Sequence, residues 1–215
     1  WTARAGIHVL EMKGSHADSF IDSLVGSPST VRLRVAAASS FFAYLERETD
    51  GRVRNPFRGT KVRPGKRTKE PVVPTEEELE EIMDRLAPHN RAAVRVMMET
   101  GLRVGALAGL IVRNGRYTSR SKGKDVSGPF SSVAMSALRE AGLDTRSPFS
   151  DLAKDCVKNA FKYASGRLHK EGTIGATYSV HDVRHFFAIQ EYLKDKDIYR
   201  LKKLLNHASI QVTEN

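Results

Sequence analysis

The sequence predicts a mainly α-helical protein with one small antiparallel β-sheet (an α+β chain) arranged in two domains. Three observations carry this. Apolar residues recur at helical spacing in several segments, a single Asn-Gly hairpin signal sits near mid-chain, and a basic stretch broken by proline and glycine separates the first helices from the rest. The 215 residues are enough for one large domain or two small ones with a sizeable core. Hydrophobic residues at 40% and charged ones at 28% fit a globular chain, neither disordered nor embedded in lipid.

Taken in order, residues 7–10 and 20–24 read as two short helical segments. Val31, Val35, Ala38, Phe42 and Leu45 alternate spacings of four and three, which predicts one apolar stripe on a helix over residues 29–48. Arg32, Arg34 and Arg47 lie off that stripe, positioned to meet phosphates or solvent alike. Residues 51–69 carry eight basic side chains and no acid, with Pro56, Gly59, Pro64 and Gly65 among them, so the stretch reads as an extended linker. Domains are expected at 1–62 and 74–215, joined by a basic linker at 63–73. Thr75 and Glu78 then form a capping box just after Pro74. Leu79, Ile82, Met83 and Leu86 mark the buried face of the helix that follows, and Glu76, Glu77, Glu80, Glu81 and Asp84 an outer face that repels polyanions. An apolar helix over 91–99 stops at Thr100-Gly101, and a helical stretch over 104–110 follows. Asn114-Gly115 is a two-residue hairpin turn, and a second turn falls at Lys122-Gly123-Lys124. Helical patterns return over 131–140, 151–165, 182–193 and 198–205.

Charge narrows the partner. Lys and Arg number 35 against 25 Asp and Glu, a formal charge of +10, so a polyanion leads: nucleic acid first, an anionic membrane second. The excess is local. Residues 51–69 contribute eight cations and residues 100–124 six, neither with an acid, and the remainder of the chain is slightly acidic. Cys156 is the single cysteine, which excludes an intramolecular disulfide framework and favours a reducing, intracellular setting. No apolar run approaches the roughly 18 residues of a membrane span, and no signal-peptide pattern opens the chain.

Five side chains carry the chemistry. Arg103 stands among apolar neighbours, where an unpaired guanidinium is costly, so it serves either a structural ion pair or a ligand. His181 and Arg184 lie three apart on one helix face, with Val183, Phe186 and Phe187 directed into a core. Taken singly, His181, His185 and His207 also suit hydrogen-bonded core or cap roles. His181-Asp182-Val183-Arg184-His185 approaches a zinc-hydrolase pattern, but its acid is Asp, and Arg184 puts a fixed cation among the ligands. Together Arg103, Lys122, His181, Arg184 and His207 form a set of cations and proton donors without a carboxylate pair. That suits a phosphodiester: two guanidiniums clamp the non-bridging oxygens, a lysine protonates the departing 5′ oxygen, and histidines move protons. Such a site needs no metal and no cofactor.

These boxes resemble those of the tyrosine recombinases, the phage-integrase family. Glu99-Thr-Gly-Leu-Arg103-Val-Gly-Ala-Leu resembles the family's first arginine box, His181-Asp-Val-Arg184-His185-Phe-Phe-Ala its His-x-x-Arg box, and Leu204-Leu-Asn-His207-Ala-Ser-Ile-Gln-Val-Thr the segment before its nucleophile. Lys122 stands where the family's hairpin lysine is expected, with Lys124 the alternative. Residues 29–56, including the run from Arg34 to Leu45, resemble its helical core-binding domain. The resemblance implies a tyrosine attacking the scissile phosphate to give a 3′-phosphotyrosyl link and a free 5′ hydroxyl, with strands exchanged through a Holliday junction. It implies Arg103 and Arg184 on the phosphate oxygens, Lys122 as general acid, His181 in proton transfer and His207 as hydrogen-bond donor. Double-stranded DNA becomes the expected partner, contacted by Arg32, Arg34, Arg63, Lys66, Arg67, Lys69, Arg120 and Lys124, with a homo-tetramer assembling on two duplexes and a cytoplasmic, nucleoid-associated location. The linker would cross DNA between the domains.

Two features depart from the family pattern. Ala106 stands where the family usually has an acid three residues after the first arginine, so something else must orient Arg103. The nucleophile is expected nine residues after His207, one past Asn215, and Tyr44, Tyr117, Tyr163, Tyr178, Tyr192 and Tyr199 match no such position. The chain, which opens on Trp1, therefore reads as a fragment that binds DNA without cleaving it. A non-catalytic DNA-binding regulator and a type IB topoisomerase relative are the alternatives; the small helical N-terminal module and the His-x-x-Arg-His-Phe-Phe-Ala wording favour the recombinase.

Overall fold

The computed structural model describes residues 5–60, 72–121 and 123–205. The chain divides into two compact units, Trp1–Glu70 and Pro71–Asn215.

The first unit contains a 3-10 turn at Val9–Glu11, α1 (Gly14–Asp22) and α2 (Pro28–Glu48). Ser27 caps α2 by accepting from Thr30 N, with Pro28 at the first helical position, where its missing N–H costs nothing. The expected stripe forms the core: Val35 and Phe42 are buried with Ala17 and Phe57, and Val31, Ala38 and Leu45 pack against them. Instead of short helices at 7–10 and 20–24 there is one turn and a nine-residue helix. His16 Nδ1 accepts from Lys13 N at 3.2 Å and closes the first turn of α1, a local cap that apolar periodicity does not encode.

The basic stretch is not uniformly a linker. Asn55 donates to Ser39 O at 3.0 Å and to Ser39 Oγ at 3.1 Å, and its own carbonyl accepts from Phe57 N. The Phe57 ring then lies 5.7 Å from Phe20 and 5.7 Å from Phe42, so one aromatic side chain draws the start of the stretch into the core. Arg63, Lys66, Arg67 and Lys69 lie outside the described residues.

The second unit runs α3 (Glu76–Asp84), α4 (Pro88–Thr100), α5 (Val104–Leu107), β1 (Ile111–Arg113), β2 (Arg116–Ser121), β3 (Lys124–Pro129), α6 (Ser132–Glu140), α7 (Lys154–Lys170), α8 (Val180–Asp195) and α9 (Ile198–Leu204). α4 is the central element. Ala92, Ala93, Val94, Val96 and Met97 are all fully buried, and it packs on α6, α7 and α8. α5 is a single turn because the chain must leave helix at Ala108 to feed β1. α7 begins at Lys154 and passes Gly166 to end at Lys170, since fully buried Leu168 draws its last turn inward. The sheet is antiparallel in the order β1-β2-β3. Asn114 (φ 50°) and Gly115 (φ 69°) both adopt the left-handed conformation that a tight two-residue hairpin turn requires. β2 alternates strictly, turning Tyr117, Ser119 and Ser121 inward. No helix among the described residues is long and apolar enough to cross a membrane.

Two features position the site. The Thr75–Glu78 capping box forms as expected, and the Glu78 carboxylate reaches further: it accepts from Gly175 N at 2.6 Å and from Tyr178 Oη at 2.8 Å, fixing the approach to α8. Burial pushes the Tyr178 hydroxyl up to about 12, reinforced by its bond to Glu78. Gly101 ends α4 at φ 63°, and a Cβ there would stand 2.3 Å from Phe187 Cδ1.

Gly101→Ala should therefore destabilise the fold by about 2–4 kcal/mol, combining left-handed strain with overpacking, as read by denaturant unfolding. Partial burial raises the Glu78 carboxyl, but the bonds from Gly175, Thr75 and Tyr178 outweigh it and leave the group below its ordinary 4.5. Its contribution is then complete above that value and fades as pH falls through the lower folded value. Glu78→Gln should lower stability by about 1–3 kcal/mol at pH 7, with the gap to wild type closing in acid.

Candidate active site

The N-terminus of α8 is fixed by a second capping box. Asp182 Oδ2 accepts from Ser179 N at 2.7 Å and from Ser179 Oγ at 2.8 Å, and Ser179 Oγ accepts from His181 N. Asp182 is thus engaged in the cap. One turn on, Arg184 is buried, at 7% exposure. Its Nη1 donates to Gly101 O and its Nη2 to Leu205 O, so a single guanidinium ties the end of α4 and the end of α9 to α8. Burial, and secondarily the positive charge of Arg103, push Arg184 down to about 10, with Tyr117 acting oppositely. It remains cationic at neutral pH.

Arg103 stands at the N-cap of α5, half-buried, with Nη1 donating to Ser121 Oγ at 3.2 Å. This answers the question raised by Ala106. That residue is buried and its carbonyl accepts from Ser119 Oγ at 2.5 Å, so the inward serines of β2 brace this turn and its arginine in place of an acid. His181 is exposed, its ring centroid 5.0 Å from that of His185 in a T-shaped pair. Desolvation, then the charges of His185 and Arg184, hold it below its ordinary value, with Asp182 opposing and Arg103 adding to the fall. His181 is therefore neutral at physiological pH, able to accept a proton.

Arg103, Arg120, Ser121, Lys154, Lys158 and His181 line one cavity of about 380 Å³ whose described lining has no acid. A larger cavity of about 620 Å³ elsewhere in this unit is lined by Glu99, Asp125 and Glu191 as well as Lys194, Arg200 and Lys203, and lacks that one-signed field. Of the residues expected at the site, Arg103, Arg120 and His181 meet in the smaller cavity, and Arg184 couples to Arg103 and His181 through its charge. Lys124 is exposed on β3 and does not line the cavity. Arg32 and Arg34 are exposed on α2 in the first unit, Arg34 donating to Val25 O at 2.9 Å. Lys122 and His207 lie outside the described residues. Sequence reasoning missed Ser121, Lys154 and Lys158. The period-two pattern of β2 contained the signal for the serine, and the spacing of four at the start of a helix that for the lysines. None of the six tyrosines, all among the described residues, lines this cavity.

The chain is similar to several known proteins. The sequence model of the phage integrase family matches residues 73–215. Tyrosine recombinase XerC of Lacticaseibacillus casei (strain BL23) is 26% identical over 211 residues, spanning 86% of this chain and 70% of that protein. Among solved structures, a lambda integrase (75–356) dimer bound to a COC′ core site superposes with a TM-score of 0.72 at 18% identity, covering 98% of this chain and 85% of that one. A lambda integrase tetramer bound to a Holliday junction does so with a TM-score of 0.66 at 18% identity, covering 97% and 68%. The chain belongs to the phage integrase family, the tyrosine recombinases.

Proposed function

We propose that this site-specific recombinase grips duplex DNA with its scissile phosphate in the cavity of Arg103 and His181, against the buried guanidinium of Arg184. The observation that carries this reading is the convergence of several cations and one neutral imidazole on a cavity whose described lining has no acid. Arg103 and Arg184 neutralise the non-bridging oxygens, most strongly as charge builds in the transition state. An incoming tyrosine hydroxyl loses its proton to neutral His181 and forms the phosphorus–oxygen bond. The bond to the 5′ oxygen breaks, and Lys122 (or Lys124) protonates that leaving oxygen, while His207 hydrogen-bonds the phosphate. Reversal by the 5′ hydroxyl of a partner duplex rejoins the strands, each bond exchanged for another of the same kind. Four protomers on two duplexes in the cytoplasm, at the nucleoid, complete the reading. None of the six tyrosines of residues 1–215 lines that cavity.

The 215-residue chain should then bind duplex DNA with strong salt dependence and yield no covalent adduct on a nicked suicide substrate. A band of protein–DNA adduct on a denaturing gel would contradict the second half. Replacing Arg63, Lys66 and Arg67 by Ala should weaken binding equally across unrelated sequences and reduce the salt slope by about 0.9 per lost phosphate contact. An unchanged slope in a fluorescence-anisotropy titration would show that these residues make no such contact.

A further inference from the structure

We infer that Lys154 and Lys158 form a second phosphate subsite in the same cavity, holding a backbone phosphate next to the one clamped by Arg103 and Arg184. The inference rests on the DNA reading above and adds two residues that the family boxes do not contain.

Lys154 opens α7 and Lys158 follows four residues later, so both project from one face of the helix. Both line the cavity with Arg103, Arg120 and His181. The charge count is what calls for a second occupant. Two arginines and two lysines line a space with no acid among its described residues, whereas one phosphodiester brings a single negative charge. A DNA strand presents one such charge about every 3.4 Å of rise, so four cations match successive phosphates better than one.

The lysines are also held in a way that suits exchange. Lys154 is exposed and has no acidic partner among the described residues. Lys158 Nζ pairs with Asp155 Oδ1 at 3.1 Å, but with 44% and 69% of the two side chains exposed this is a weakly held surface pair, readily traded for phosphate. Residue type separates the two subsites. Arg103 and Arg184 are braced by a hydroxyl and by backbone carbonyls, as a reacting group needs. The lysines are flexible point charges, adequate for a phosphate that is held and not transformed. The N-terminal dipole of the 17-residue α7 adds to their field, and no side chain caps its first turn.

The test is an anisotropy titration of the chain with a labelled 30-base-pair duplex of arbitrary sequence at several salt concentrations. Lys154→Ala with Lys158→Ala should flatten the slope of log affinity against log salt by about 0.9, the value for one phosphate contact, so the advantage of wild type shrinks roughly three- to fourfold between 50 and 200 mM salt. Lys154→Arg with Lys158→Arg should restore the slope. Lys162→Ala with Lys170→Ala, exposed on the same helix but outside the cavity, should leave it unchanged. An unaltered slope in the Lys154/Lys158 alanine pair, or an equal loss in the Lys162/Lys170 pair, overturns the subsite while leaving the DNA reading intact. Absence of salt-dependent binding by wild type overturns both.

Discussion

Burying the Arg184 guanidinium imposes a demand that three separate segments meet. A cation taken out of water is costly unless its donors find oxygens, and here Gly101 O and Leu205 O supply them. Presenting the first carbonyl requires α4 to end in a left-handed glycine against Phe187. Presenting the second requires α9 to turn back onto α8. Lys196 makes that turn with φ 56°, Asp197 caps α9 at Tyr199 N and Arg200 N, and Arg200 ties the corner to Asp195 at 2.6 Å and Glu191 at 3.0 Å. The helices, the glycine and the corner are arranged so that one charge can be held inside.

The electrostatic result is two guanidiniums held near each other. The positive charge of Arg103 makes that of Arg184 less comfortable and, after burial, lowers its pKa further. Under the proposed function, a phosphate placed between them would relieve that repulsion. Bracing Arg103 by Ser121 and not by a carboxylate has the same sign: a hydroxyl orients the guanidinium without cancelling its charge.

Much of this was legible in the sequence, and the gaps have physical causes. The Val31-to-Leu45 stripe, the Thr75–Glu78 box and the Asn114-Gly115 turn are local patterns, and each folds as its spacing implies. Arg103 stood out because charge inside apolar surroundings needs a reason, and His181 and Arg184 because a spacing of three puts them on one helix face. What sequence could not supply was long-range pairing. Phe57 sits among arginines, yet its burial depends on rings at positions 20 and 42. Ser121 looks like any strand serine until β2 faces it toward Arg103, and Lys154 and Lys158 look like solvated helix lysines until α7 brings them to the same cavity.

The Glu78 carboxylate carries a consequence in time. Its partners Gly175 and Tyr178 lie 97 and 100 residues further along the chain, and they fix the approach to the helix that bears His181 and Arg184. Contacts of such sequence separation form late, because a long loop must close before they stabilise anything. A ribosome releasing residues from the N-terminus exposes α3 and its acidic surface long before α8 exists. The junction of α4, α8 and α9 around Arg184 is therefore among the last parts of the second unit to come together.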